Sequence, residues 1–254
     1  MRLRDRLHDL VLLCLCLGMG WWLWEGVAAI DDPEYIIGPA AYYLVNTAKE
    51  TGAVNVVAAI LFDYRGIDTL GEATVIYTTV CGVAMLFSKS KYKKSSAGLS
   101  FIARRGISFV VPFLFMYGSA IILMGHLSPG GGFQGGAVFA TITILFCIVF
   151  GSSFEASRIS PKTKETIESL GGLLFVFIGG VGLLAGAGFL ANTAAGFPRG
   201  QVGNFLSAGT IPLLNVAVGM KVGAGLSTIF YSMVKVLDLE FNEQLTEVMD
   251  NDKN

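Results

Sequence analysis

The chain has 254 residues, 53% of them hydrophobic and 15% charged, with a net charge of −1 and a mean hydropathy of +0.63. Soluble domains carry about 25% charged residues, so this composition excludes a soluble globular domain and defines an integral membrane protein. A charge this near zero gives no basis for nucleic-acid binding, and the four cysteines all fall inside apolar runs without a CxxC pair, which favours neither a metal site nor a disulfide.

Arg2, Arg4 and Arg6 precede an apolar run over residues 10–30. The pattern has two readings, a cleaved signal peptide and a retained first span. A signal core is about 7–15 residues followed by small residues, and Val27-Ala28-Ala29 has that form. Trp21, Trp22 and Trp24 suit an interfacial aromatic belt and favour the retained span. Residues 31–68 form a mixed segment, acidic at each end. Its apolar part, 53–62, is too short to cross a bilayer and predicts an interfacial or re-entrant helix. Asp63-Tyr64-Arg65-Gly66 ends it with turn chemistry.

A second span is expected over 69–87, with Glu72 one turn inside its start. Residues 88–105 hold six basic side chains with serines between, the clearest boundary in the chain. Spans three and four are expected at 108–124 and 135–150, within 46 residues (106–151) that contain no Asp, Glu, Lys or Arg. Between them runs a stretch with five glycines from Pro129 to Gly136, a poor sequence for regular helix and hence either a plain hairpin turn or part of a site. Span five (169–190) is rich in glycine, which lets helix backbones approach closely in lipid. Span six covers 211–234, before an acidic, polar tail.

The expected fold is all-α and polytopic, with six transmembrane helices in a two-plus-four arrangement. Three segments follow: a two-span module at 1–95, a four-span module at 96–236 and the tail at 237–254. This count puts fourteen basic residues on one side of the membrane and three on the other. By the positive-inside rule both termini are cytoplasmic and the glycine-rich stretch is at the outer side.

Lys221 is the sharpest functional signal. Ten residues at about 1.5 Å each place it about 15 Å from the start of span six, near the bilayer centre, where an ionisable group is a functional hypothesis by default. A snorkelling lysine belongs near a helix end, and pairing with a neighbouring subunit is the other structural reading. Glu72 has two equal readings, a functional acid and a helix-dipole partner in a first turn. Depth argues against its direct contact with Lys221. A hydrated path between them, or an acid placed beside Lys221 by a different polypeptide of a complex, fits better. His126 is either a proton carrier or a hydrogen-bonded cap, the cap being the commoner case. Gln134 and the glycine backbone offer polar groups to a cation or to water, or simply make a hairpin. No nucleophile–base constellation, phosphate loop or dinucleotide fingerprint appears, so neither an enzyme acting alone nor a bound cofactor is expected.

The run Gly125-His126-Leu127-Ser128-Pro129-Gly130-Gly131-Gly132-Phe133-Gln134-Gly135-Gly136-Ala137 resembles the signature of the MnhB-type domain of the Mrp-type multisubunit sodium/proton antiporters. The resemblance covers residues 104–236 and includes Gly219-Met220-Lys221-Val222-Gly223-Ala224-Gly225-Leu226. Separately, Phe62-Asp63-Tyr64-Arg65-Gly66-Ile67-Asp68-Thr69-Leu70-Gly71-Glu72 resembles the C-terminal extension of the large subunit of the same antiporters. Such modules also occur in archaeal membrane-bound hydrogenases and sulfane reductases, where the extension is typically a separate small protein. The resemblance implies a prokaryotic cell membrane, sodium ions and protons as the carried species, and other complex subunits as partners. It puts Glu72, Lys221 and the glycine stretch at or near a cation path. The ion-path candidates are therefore Lys221, Glu72, His126, Gln134 and Asp63. Pro129, Gly130, Gly131, Gly132, Phe133, Gly135 and Gly136 form the structural motif.

Overall fold

The computed structural model describes residues 3–28, 38–87 and 99–251, with side chains over 11–28, 38–87 and 99–234. The acidic part at 29–37, the lysine-rich joint at 88–98 and the last three residues lie outside the described residues. Every described residue in a regular element is helical. The chain divides into two compact units, Met1–Tyr42 and Tyr43–Asn254.

In the first unit α1 (Leu3–Ala28) is one continuous apolar helix. Its described side chains are all exposed, Trp21, Trp22 and Trp24 included. A helix apolar on every side is suited to hydrocarbon rather than water.

The second unit contains α3 (Val56–Ala59), α4 (Gly66–Phe87), α5 (Phe101–Leu123), α6 (Gly132–Phe150), α7 (Ser152–Arg158), α8 (Pro161–Leu184) and α9 (Ile211–Asn251); α2 (Pro39–Thr51) reaches into it. Five of these helices, α4, α5, α6, α8 and α9, are long and apolar enough to cross a membrane, which with α1 makes six. The chain is a multi-pass membrane protein.

Helix α9 is the hub, packed by α4, α5, α6 and α8. Its core face is built from small residues, Ala217, Gly219, Gly223, Ala224 and Gly225, all buried. Lipid tails are as apolar as leucine, so such helices associate by close van der Waals packing, which small residues permit. A Cβ at Gly132 would lie 2.5 Å from the Asn215 carbonyl oxygen, and one at Gly136 would lie 2.9 Å from the Gly219 carbonyl oxygen. On α8, Gly171 meets the Ala217 carbonyl in the same way, at 2.6 Å.

The glycine-rich stretch is therefore not all turn. Gly130 and Gly131, at φ 139° and 156°, make the break, and Gly132 already begins α6. Close packing outweighs the propensity penalty. Span five also starts earlier than expected, at Pro161 rather than 169. Ser160 caps it, its hydroxyl accepting from the Thr163 amide at 3.1 Å, with Pro161 at the first helical position. The early turns of this helix are charged, and Lys164 and Glu168 among those residues are paired. The last helix continues to Asn251, beyond the expected end at 234.

The short segment expected at 53–62 is helical from Val56, after a non-helical start at 53–55, and runs on through the expected turn residues Asp63 and Tyr64; it is latched to the α5–α6 turn. The Asn55 side-chain oxygen accepts from the Val57 and Ala58 amides, capping α3. Its Nδ2 donates to the carbonyls of Gly125 (2.7 Å) and Ser128 (2.9 Å). A π-helical turn at Ile60–Tyr64 follows, and the Thr69 hydroxyl donates to the Leu61 carbonyl within it at 2.6 Å.

Candidate functional site: buried ion pairs on the α8–α9 seam

Lys221 is paired within its own chain. Its Nζ lies 3.6 Å from Glu168 Oε1, with side-chain exposures of 9% and 5%. The ammonium also sits over the Tyr77 ring of α4, 4.7 Å from its centroid. This corrects one of the two arrangements expected for Lys221, an acid placed beside it by a different polypeptide. Glu168 was missed because it lies just outside the span assigned from hydropathy. Glu168, Lys221 and Tyr77, with Leu70 and Thr74, line a cavity of about 450 Å³ between α4, α8 and α9.

One turn before Glu168, Lys164 is buried as well, its Nζ 2.5 Å from Glu155 Oε1 of α7 and 4.5 Å from the Tyr231 ring centroid. Burial pushes the Glu155 carboxyl above the usual carboxylate range, while the hydrogen bond and charge of Lys164 pull it back. Neither residue was singled out from the sequence. The spacing of Lys164 and Glu168, four apart with opposite sign, was the signal available in the sequence.

The remaining candidates lie apart from these pairs. His126 is fully buried, and its Nε2–H donates to the Phe205 carbonyl at 3.1 Å. Its own carbonyl accepts from the Val54 and Asn55 amides, both at 3.0 Å. Burial holds its imidazole below the ordinary value of 6.5, against the backbone hydrogen bonds to Phe205 and Asn204. Asp63 accepts from Asn192 Nδ2 at 2.9 Å. Burial raises its carboxyl pKa, Asn192 lowers it, and nearby Glu50 raises it further. Gln134 is exposed in the first turn of α6, and Glu72 is exposed on α4. Asn215, not singled out from sequence, holds the start of α6: its Oδ1 accepts from the Gly132 amide at 2.8 Å. Among the described residues, no group of three or more His, Cys, Asp or Glu side chains is placed to hold a metal.

An all-helical, multi-pass membrane protein with two buried ion pairs where α7, α8 and α9 meet is the class this fold and site define. Residues 102–228 match the family described as a domain related to the MnhB subunit of Na+/H+ antiporters, and residues 4–101 match the MbhE family of MBH subunits. The chain belongs to the MnhB-related family. It is 35% identical over 198 residues to an uncharacterized protein of Methanocaldococcus jannaschii, covering 68% of this chain and 74% of that one. A Rhizobium meliloti protein described as a probable K(+)/H(+) antiporter A/B subunit is 32% identical over 240 residues, 83% of this chain and 23% of the relative. Among solved structures, a chain of the membrane-bound sulfane sulfur reductase, an archaeal respiratory membrane complex, aligns with TM-score 0.74 at 35% identity. That alignment covers 90% of this chain and 99% of the other. A chain of the Mrp complex from Dietzia sp. DQ12-45-1b shares the fold, with TM-score 0.62 at 20% identity over 91% of this chain and 26% of that one.

Proposed function

We propose that this chain is a non-catalytic membrane subunit of a multisubunit sodium/proton antiporter or a related ion-translocating complex, in which it supplies part of a cation path and a packing surface for larger subunits. The observation that carries this reading is the buried Glu168–Lys221 pair, which lines a cavity between three membrane-crossing helices. A pair of charges at that depth is expensive to keep, and an apolar pair of similar volume packs at least as well. Conduction gives it a reason to persist. Membership of the MnhB-related family supports the same reading.

The chain combines two modules, joined near residue 95, in one polypeptide; the two family matches meeting at 101–102 support this arrangement. Both termini lie in the cytoplasm, by the basic residues on that side of the spans. The partners are other subunits of an Mrp-type or respiratory membrane complex, and the carried species are sodium ions and protons. A second reading, a membrane scaffold in a redox-driven complex that itself conducts nothing, is favoured by the likeness to almost the whole of a chain of the sulfane reductase.

Glu72→Gln and the doubly neutral Glu168→Gln/Lys221→Met variant separate the two. Both substitutions preserve shape and leave no orphaned charge, so the complex assembles. The conducting role predicts lost sodium/proton exchange in everted membrane vesicles. Full exchange with either variant in a fully assembled complex leaves only the scaffold.

A further inference from the structure

The two buried pairs are in series. From α7 inward the groups alternate in sign: Glu155, Lys164, Glu168, Lys221. Each ammonium is seated over a tyrosine ring, Lys164 on Tyr231 and Lys221 on Tyr77. Lys164 and Glu168 are four residues apart on α8, about 6 Å along its axis and on the same face, within reach of a lysine side chain. The series also joins two spaces. Lys164 lines a largely apolar cavity of about 440 Å³ between α5, α6, α8 and α9, in which Ser119, Thr143 and Ser227 are the other polar residues. Glu168 and Lys221 line the other cavity, on the α4 side. One buried pair is explained as a staple for α7, but a second pair adjoining it gives Lys164 a choice of two carboxylates, Glu155 and Glu168.

We infer that Glu155 and Lys164 form an inner proton gate that acts in series with Glu168 and Lys221. The inference rests on the conducting role proposed for that second pair. A proton from the inner side adds to the Glu155 carboxylate and neutralises it. Lys164, still protonated, turns to Glu168. Lys221 then loses its partner, and its ammonium gives a proton to water in the α4-side cavity. One proton is taken up and one released, so charge balances; the series resets when the proton held by Glu155 passes by way of Lys164 and Glu168 to the neutral Lys221, and a full cycle moves one proton from the inner side to the α4-side cavity.

The groups facing these four come from several helices. Lys164 meets Glu155 of α7 and Tyr231 of α9, with Glu168 one turn along its own helix; Glu168 meets Lys221 of α9, Tyr77 of α4 and Glu165 of α8. Helix α6, packed on α7, contributes no charged residue. Glu155 is thus the one carboxylate on the inner flank of Lys164 among the described residues, and its burial favours the proton-bound form.

The test uses the intact complex in everted vesicles, driven by pulses of sodium chloride and of potassium chloride while proton movement is followed across a range of pH. Glu155→Gln and the doubly neutral Glu155→Gln/Lys164→Met variant should each slow exchange by at least about tenfold, the lower end of what a positioned proton-transfer group contributes. Both should also lose the acid limb of the pH profile, a change that a mere staple would not produce. Wild-type rate and profile in either assembled variant overturns the gate. If the single variant fails to assemble, the double variant decides, and failure of both makes the pair structural and overturns the gate. Normal exchange in these variants alongside a dead Glu168→Gln/Lys221→Met complex refutes the gate alone; normal exchange in both sets removes the conducting role itself.

Discussion

Cutting the Glu168–Lys221 pair from one side should be far more damaging than removing it whole. At 3.6 Å and an effective dielectric of about 20, two unit charges attract by about 4–5 kcal/mol. Breaking a buried pair costs about 3–5 kcal/mol, because the group left behind keeps its desolvation penalty without its partner. Lys221→Met and Glu168→Gln should therefore each destabilise the chain by about 3 kcal/mol or more, and the double variant should return to within about 1 kcal/mol of wild type. Denaturant unfolding of the purified chain in detergent, run as a double-mutant cycle, reads the coupling directly. The reasoning is refuted if the two single losses add in the double variant. Additivity would mean that the adjoining cavity solvates each charge on its own and the 3.6 Å separation carries little energy.

Glycine positions give a second check. Gly136→Ala pushes a Cβ to 2.9 Å from the Gly219 carbonyl and should cost about 1–3 kcal/mol, whereas Gly180→Ala meets nothing within 4 Å and should be neutral or stabilising; equal thermal midpoints would refute the packing account. Asn55→Ala removes a helix cap together with the two hydrogen bonds that its amide donates to the Gly125 and Ser128 carbonyls, so a loss of about 1–3 kcal/mol is expected, with faster hydrogen exchange confined to residues 124–131. For His126, the folded chain binds its proton less readily than the unfolded chain, so its share of stability is lost as pH falls from 6.5 towards the lowered value. The thermal midpoint should drop more between about pH 7 and about pH 5 in wild type than in His126→Asn, and parallel slopes would exclude His126 as the cause.

Hydropathy located the six crossing helices because length and apolar content alone decide them. It misplaced the start of α8 because a sliding apolar window treats Lys164 and Glu168 as solvent-exposed, and the compensation that buries them is tertiary. Glu155 was out of reach for the same reason: its partner, nine residues away, sits on a different helix. Lys221 stood out because a lysine ten residues inside a span is too central to snorkel. The glycine stretch was read correctly as unusual and only partly as to kind. Whether a glycine ends a helix or admits a neighbour depends on what faces it, and for Gly132 and Gly136 that is α9.

The position of Glu72 constrains any path through this chain. Glu72 is six residues into α4, about 9 Å from its start, and exposed. Leu70, Ala73, Thr74 and Tyr77 of the same helix line the cavity that holds Lys221. At about 100° per residue, Glu72 falls roughly on the far side of α4 from those four. Helix α4 therefore stands between Glu72 and Lys221, and this chain alone offers no direct line from one to the other. A carboxylate facing hydrocarbon at that depth is costly, so the Glu72 face calls for a protein partner or a hydrated groove. Under the proposed function, the path is completed by a neighbouring subunit packed against α4, and Glu72 faces that interface. Cross-linking from a cysteine placed at Glu72 should then capture another polypeptide of the complex, whereas a cysteine at Thr74, on the cavity side, should not.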